Sequence, residues 1–305
     1  MGNRAERRSV DYERSDFAQP TSVQRRMPEL PEVERARALI ERLALGREIV
    51  RVDDADTYVC RPHAPGDIAG AITGRRLTRA LRRGKAMWVE TDGGEGPDLG
   101  LHLGMAGRIV IGEESGGDPV EGGSGGSPEQ HLSGNPRWRR FTLEFADGGT
   151  LVLFDKRRLG RAVLNPNLDG VGPDAMEITA QQFRERVGRG TAPVKARIMD
   201  QSVLAGVGNL LADETLWQAK LSPLRPASSL SAEERDRLRR ALRKATQLAI
   251  ANGGVHTGTV IPFRRRGEHC PRCGGEMLRA AVGGRTTWWC SVEQAFEPVE
   301  GVARS

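Results

Sequence analysis

The sequence predicts a multidomain α+β protein that opens with a β-sandwich carrying flanking helices. Three observations carry this. Short β-rich segments punctuated by Gly and Asp follow one another from Glu48 to Phe154. The composition turns helical after Gly172-Pro173 and stays so to about residue 252. Three of the four cysteines fall after residue 254, in a small unit of their own.

Taken in order, residues 1–27 show no hydrophobic period and read as a disordered tail or as sequence upstream of the true start. From Pro31 a short amphipathic helix follows, with Val33, Ala36, Ile40 and Leu43 at helical spacing and Gly46 as its stop. The expected strands are 48–52, 77–81, 86–91, 99–103, 108–111, 141–145 and 151–154. They form an N-terminal domain over 28–160. Within it, residues 115–136 are rich in Gly, Ser and Pro and read as a surface loop. A helical domain is expected over 161–254. Ser231 and Glu234 form a capping box there, opening a helix that Asn252, Gly253 and Gly254 end. Residues 255–305 make the third unit.

Composition narrows the function classes. No stretch approaches the roughly 18 uncharged residues that a spanning helix needs, and the first residues lack the apolar run of a signal peptide. A soluble, cytoplasmic monomer without membrane contact is expected. Lys and Arg total 46 against 40 acidic residues, a net charge of +6, with clusters at 137–140 and 264–266. A polyanionic partner fits this balance, and so does an ordinary solvated basic surface. The Cys270-x2-Cys273 pair points to metal chemistry in a reducing compartment, and Cys60 to a lone buried thiol.

The most informative segment runs from Met27 to Glu34, Met-Pro-Glu-Leu-Pro-Glu-Val-Glu. If translation starts at Met27 and that methionine is removed, Pro28 carries a free secondary amine, which titrates well below a lysine. Such an amine can attack a sugar C1′ and form an iminium ion. Glu29 beside it and Glu32 one helical turn on could move the protons. The competing reading is that Pro28 and Pro31 start a helix whose dipole the glutamates complement.

This octapeptide resembles the N-terminus of the formamidopyrimidine-DNA glycosylase and endonuclease VIII family, and further motifs follow in the family's order. Arg82-Arg83-Gly84-Lys85-Ala86 is similar to the hairpin loop whose lysine, here Lys85, assists catalysis. His102-Leu103-Gly104-Met105-Ala106-Gly107 is similar to the loop whose histidine touches phosphate and whose methionine wedges into the duplex. An enzyme acting at a glycosidic bond must extrude the nucleotide, so an apolar wedge is required physically. Asp155-Lys156-Arg157-Arg158-Leu159-Gly160 resembles the segment that supplies an arginine to the orphaned base. Arg157 fits that role, Arg158 a phosphate or structural one, and Leu159 stands where the family has an aromatic. Gly206-Val207-Gly208-Asn209-Leu210-Leu211-Ala212-Asp213-Glu214 resembles the helix-two-turn-helix signature, which implies phosphate contacts by Gly208, Asn209 and, upstream, Lys195.

The last unit resembles the family's zinc-finger β-hairpin: Cys270-x2-Cys273, 16 residues, then Cys290, with Arg285 placed to grip the phosphate flanking the lesion. Glu293 stands where a fourth cysteine is expected. A Zn²⁺ site of Cys270, Cys273, Cys290 and Glu293 follows, with His269 the poorer substitute. The resemblance runs from Met27 to about Glu297. It implies a nucleoid-associated base excision repair enzyme, a glycosylase with lyase activity on double-stranded DNA carrying damaged bases or abasic sites. Oxidised purines such as formamidopyrimidine and 8-oxoguanine are favoured. The segment 254–266 is short where 8-oxoguanine enzymes carry a capping loop, so an endonuclease VIII-like preference for oxidised pyrimidines stays open. So do a non-catalytic DNA-binding protein, if the leading segment is retained, and a zinc-ribbon adaptor.

Overall fold

The computed structural model describes residues 28–117 and 135–296. The leading segment 1–27, most of the Gly/Ser/Pro stretch and the C-terminal tail lie outside them. The first helix, α1 (Leu30–Leu43), buries Leu30, Val33, Ala36, Leu39 and Ile40, the stripe its spacing predicts. Nine strands follow: β1 (Ile49–Asp53), β2 (Leu77–Arg83), β3 (Ala86–Thr91), β4 (Leu99–His102), β5 (Arg108–Ile111), β6 (Glu114–Gly117), β7 (Arg139–Phe145), β8 (Thr150–Phe154) and β9 (Arg161–Leu164), with α2 (Asp67–Ile72) between β1 and β2.

The strands form two antiparallel sheets, β1-β7-β8-β5-β6 and β2-β3-β4-β9. Their inner faces share one core with α1, in which Ile49, Leu77, Met87, Leu101, Phe141 and Leu153 are buried. Period-2 alternation explains the packing: Met87, Val89 and Thr91 of β3 turn inward while Trp88 and Glu90 are partly exposed. Two strands depart from expectation. Residues 115–117, expected in the loop, pair with β5 as part of β6, and β9 extends the second sheet past residue 160. Their four-residue lengths and glycines leave little periodic signal.

The helical lobe holds α3 (Ala180–Val187), α4 (Val194–Met199), α5 (Asn209–Gln218) and α6 (Ala232–Asn252). Ser231 and Glu234 make the expected reciprocal cap on α6, which ends at Gly253 in the left-handed region. The hairpin β10 (Met277–Val282) and β11 (Arg285–Cys290) turns on Gly283-Gly284, both at positive φ, and so places Arg285 exposed at its tip. The hairpin has no core apart from the lobe: Cys270, Met277, Trp288 and Cys290 pack with Trp217, Leu211 and Leu242.

Candidate active site

The site is assembled where the head of α1 meets the start of α5. Pro28 is buried there, and the N–H of Leu30 donates to the carbonyl of Gly206 at 3.0 Å. Glu29 is 2% exposed. Its carboxylate accepts from the backbone N–H groups of Gly208 (2.9 Å), Leu210 (2.9 Å) and Leu211 (3.0 Å). These belong to the first turn of α5, where helical N–H groups lack partners and the dipole favours an anion. A Cβ at Gly208 would lie 2.2 Å from the Glu29 carboxyl carbon, so no side chain fits there. Burial nonetheless pushes the Glu29 carboxyl above its ordinary pKa, against the pull of Lys85 and the three N–H groups.

Glu32 completes the pair. It accepts from the N–H of Glu29 (2.9 Å) and of Val255 (2.6 Å). Burial, with the neighbouring Glu29 charge, pushes it up to about 7. Lys85 sits on the β2–β3 turn. Desolvation and the Arg285 charge lower its pKa, while Glu29 and Glu32 oppose that. His102 feels desolvation and then Lys85, and is lowered as well. Its Nδ1 accepts from Gly104 N–H at 2.9 Å, which leaves Nε2–H to donate outward. Glu29 and Glu32 at the head of α1, with Lys85, His102 and Arg285 from three further segments, therefore face one locus beside Pro28.

Two aspartates, neither with a role expected from the sequence, hold this constellation. Asp174 Oδ2 accepts from Gly84 N–H at 2.7 Å and pairs with Arg82, which also bonds Glu34, tying the Lys85 hairpin to the interdomain linker. Asp213 on α5 pairs with Lys195 Nζ (2.6 Å) and Arg264 Nε (2.8 Å), and accepts from Trp288 N–H (3.2 Å) of the hairpin. Lys195 is thus fully buried. It donates to Asn209 Oδ1 (2.7 Å) and Thr287 Oγ1 (2.8 Å) and does not reach the surface as an expected phosphate contact would. It ties the Asn209 amide oxygen, at the helix start, to the hairpin. Neither aspartate carries a local sign of these long-range partners in the sequence.

The two loops expected to supply the wedge lie together. Gly104, at φ +60°, lies so close to Leu159 that a Cβ would sit 2.4 Å from that carbonyl carbon. Met105 and Leu159 are both part-exposed on adjoining turns. Buried Asp155 shapes the second turn by accepting from the N–H groups of Arg157 (2.8 Å), Leu159 (2.7 Å) and Gly160 (2.7 Å). Arg157 is part-exposed, and Arg158 is held by Asp56 through two bonds of 2.7 and 3.0 Å.

In the hairpin the Sγ atoms of Cys270, Cys273 and Cys290 lie within 4.8 Å of one another. Trp217 Nε1–H donates to Cys270, and the N–H groups of Val292 and Glu293 to Cys290. Three converging thiolate donors, two of them steadied by these N–H groups, suit Zn²⁺. The expected fourth ligand is not among them. Glu293 turns its carboxylate to Lys220 (2.7 Å) and Arg272 (3.3 Å), because two cations flank it, and His269 is likewise outside the cluster. The remaining cysteine, Cys60, is buried in the sandwich, where desolvation pushes its thiol up to about 12.

Comparison with known proteins agrees with this geometry. Residues 27–162 match the formamidopyrimidine-DNA glycosylase N-terminal domain and residues 170–260 its H2TH domain. The chain is 34% identical over 295 residues to a formamidopyrimidine-DNA glycosylase of a Nocardioides species, covering 88% of this chain and 94% of that one. It is 33% identical over 287 residues to that of Chloroflexus aurantiacus, covering 87% and 96%. Among solved structures, the Lactococcus lactis enzyme bound to abasic-site DNA matches with a TM-score of 0.71 at 25% identity, over 88% of this chain and all of that one. The Thermus thermophilus enzyme matches at 0.69 and 31%, over 89% and 100%. The chain belongs to the formamidopyrimidine-DNA glycosylase family.

Proposed function

We propose that the protein is a base excision repair DNA glycosylase with lyase activity in which Pro28, freed by removal of what precedes it, is the nucleophile. The amine attacks C1′ of the damaged nucleotide, the base departs with a proton, and the ring-opened sugar is held as an iminium on the proline nitrogen. Glu29, whose carboxyl is raised by burial, passes protons to the sugar ring and takes them back. The iminium acidifies C2′–H, so β-elimination releases the 3′ phosphate and δ-elimination the 5′ phosphate. Lys85, held below the ordinary lysine range, assists these transfers. His102, Asn209 and Arg285 hold phosphates, while Met105, Arg157 and Leu159 fill the gap left by extrusion and meet the orphaned base.

One observation carries this reading: a buried carboxylate adjoins Pro28 and is seated on three N–H groups of the helix-two-turn-helix segment. The same seat would serve as a structural cap between the lobes, but its raised carboxyl directly beside Pro28 favours a proton-transfer role. Oxidised purines are the proposed substrates; a solved relative of 26% identity carries carbocyclic 8-oxo-G DNA. The compact turns at Val255–Thr257 and Ile261–Phe263 favour a second reading, oxidised pyrimidines, since Val255, Val260 and Ile261 are buried there. Zn²⁺, held by Cys270, Cys273 and Cys290, would serve as a structural cross-link beneath Arg285.

Strand cleavage on duplexes each carrying one lesion tests the proposal. Nicking at formamidopyrimidine or 8-oxoguanine sites supports it. Nicking at oxidised pyrimidines alone selects the second reading, and binding without any nicking refutes both.

A further inference from the structure

Beside the loops of Met105 and Leu159 lies a cluster that the reaction does not use and of which the sequence motifs hold only Arg158. Tyr58, on the turn after β1, is 45% exposed. Three guanidinium groups lie near its ring: Arg61 at 3.9 Å from the centroid, Arg161 at 5.2 Å and Arg158 at 5.7 Å. Asp56, the carboxylate in contact with this group, is bonded to Arg158 and paired with Arg140 at 3.5 Å, so positive charge remains in excess.

The turn is not loosely attached. Val59 carbonyl accepts from Ala162 N–H (3.1 Å) and His63 Nε2 from Leu164 N–H (3.1 Å), which fastens residues 59–63 along β9. Arg61 also donates to the Tyr58 carbonyl at 2.5 Å. The strand β9 starts at the end of the Arg157–Gly160 turn, and its Arg161 faces His102 across the ladder. Tyr58 and its arginines are therefore rigidly continuous with the segment read above as meeting the orphaned base.

An exposed aromatic ring surrounded by cations is a poor use of surface in isolation, since like charges are crowded and apolar area stays wet. It suits a ligand that brings negative charge together with a flat face, as a nucleic-acid strand does. Phosphates pair with guanidinium forks, and a base or deoxyribose lies on the ring. We propose that Tyr58, Arg61, Arg158 and Arg161 form a second DNA contact, taking the backbone of the undamaged strand just past the orphaned base. This rests on the glycosylase reading above and extends its footprint across the duplex.

The test is anisotropy titration with a long duplex carrying a reduced abasic site, which cannot form the iminium. It is repeated with the undamaged strand ended at the orphan base. Tyr58→Ala should weaken binding to the intact duplex about tenfold, the range of one stacked base, and Tyr58→Phe should bind like wild type. Arg61→Ala should lower the slope of log affinity against log salt by about one phosphate contact. On the shortened duplex the wild type should fall to the level of Tyr58→Ala, and the variant should lose nothing more. Equal losses on both duplexes, or variants indistinguishable from a wild type that binds tightly, would overturn the proposal alone. A wild type that binds neither duplex refutes the glycosylase reading beneath it. Melting temperatures matching wild type confirm that the substitutions leave the fold intact.

Discussion

At the scale of single residues, the two carboxylates beside Pro28 divide their work by environment. Glu29 accepts three N–H bonds and Glu32 two, yet burial raises both. Replacing Glu29 with Gln sets an NH₂ group against backbone donors. Excision in single-turnover assays should then fall by about 10²–10⁴, with about 1–3 kcal/mol of stability lost to the orphaned donors. A variant that excises at the wild-type rate would remove Glu29 from the mechanism.

Glu32 makes a pH prediction whose sign is fixed by linkage. A carboxyl raised to about 7 binds its proton more tightly in the folded chain than in the unfolded one. Its contribution is complete below the ordinary carboxylate range and disappears as pH climbs through about 7. Glu32→Gln lacks this titration. The stability of Glu32→Gln relative to wild type should therefore rise between pH 5 and pH 8, by at most about 3 kcal/mol on the linkage scale. Urea midpoints at the two pH values measure it. A constant difference would contradict the assignment.

At the scale of elements, the groups proposed to act in catalysis sit on turns and helix ends whose positions are set by buried ions. Asp213 joins α4, α5, residue 264 and β11 in one network. Asp213→Ala would leave Lys195 and Arg264 buried without their counter-charge, and should destabilise by about 3–5 kcal/mol in denaturant melts. A loss near zero would mean that the network is not what holds the hairpin. Gly84 is a second such point. At φ +61° a Cβ would meet Ala205 and Gly206 within 2.8 Å, so Gly84→Ala should displace Lys85 and slow cleavage without abolishing duplex binding. Equal cleavage rates would refute the tight packing.

These supports mark the limit of sequence reading. Pro28, Glu29, Lys85, His102, Asn209 and Arg285 stood in motifs with recognisable order, and α1 and α6 announced themselves by spacing and caps. Nothing in a motif says that Glu29 will sit on Gly208 and Leu211, because those contacts join segments far apart in the chain. Glu293 shows the same gap from the other side. Its position suited a ligand, and only the proximity of Lys220 and Arg272 reveals where its charge goes. Lys195 looked like a surface cation for want of any local sign of Asp213. Tyr58, Arg61 and Arg161 stood in no motif, and the motif that holds Arg158 says nothing of the ring it meets.

At the scale of the whole molecule, the sandwich carries Lys85, His102 and the wedges, and the helical lobe with its hairpin carries Asn209 and Arg285. Glu29 bridges the two. The finger is docked by Arg272 stacked on Trp217 at 3.8 Å and by Gln294 donating to the Leu221 carbonyl at 2.8 Å, besides any metal cross-link. Chelation should therefore weaken DNA binding without unfolding the helical lobe, as circular dichroism and anisotropy on the same sample would show. A cooperative loss of helix on chelation would contradict the protein-borne docking.

The most direct test is to map the covalent adduct. The protein is incubated with abasic-site DNA, reduced with borohydride, digested and sequenced by mass spectrometry, alongside the intact mass of the unreacted chain. The account predicts an active chain beginning at Pro28, with the sugar remnant on the nitrogen of that residue. An adduct on Lys85 with Pro28 unmodified, or full cleavage by a chain that still carries Met27, would contradict it.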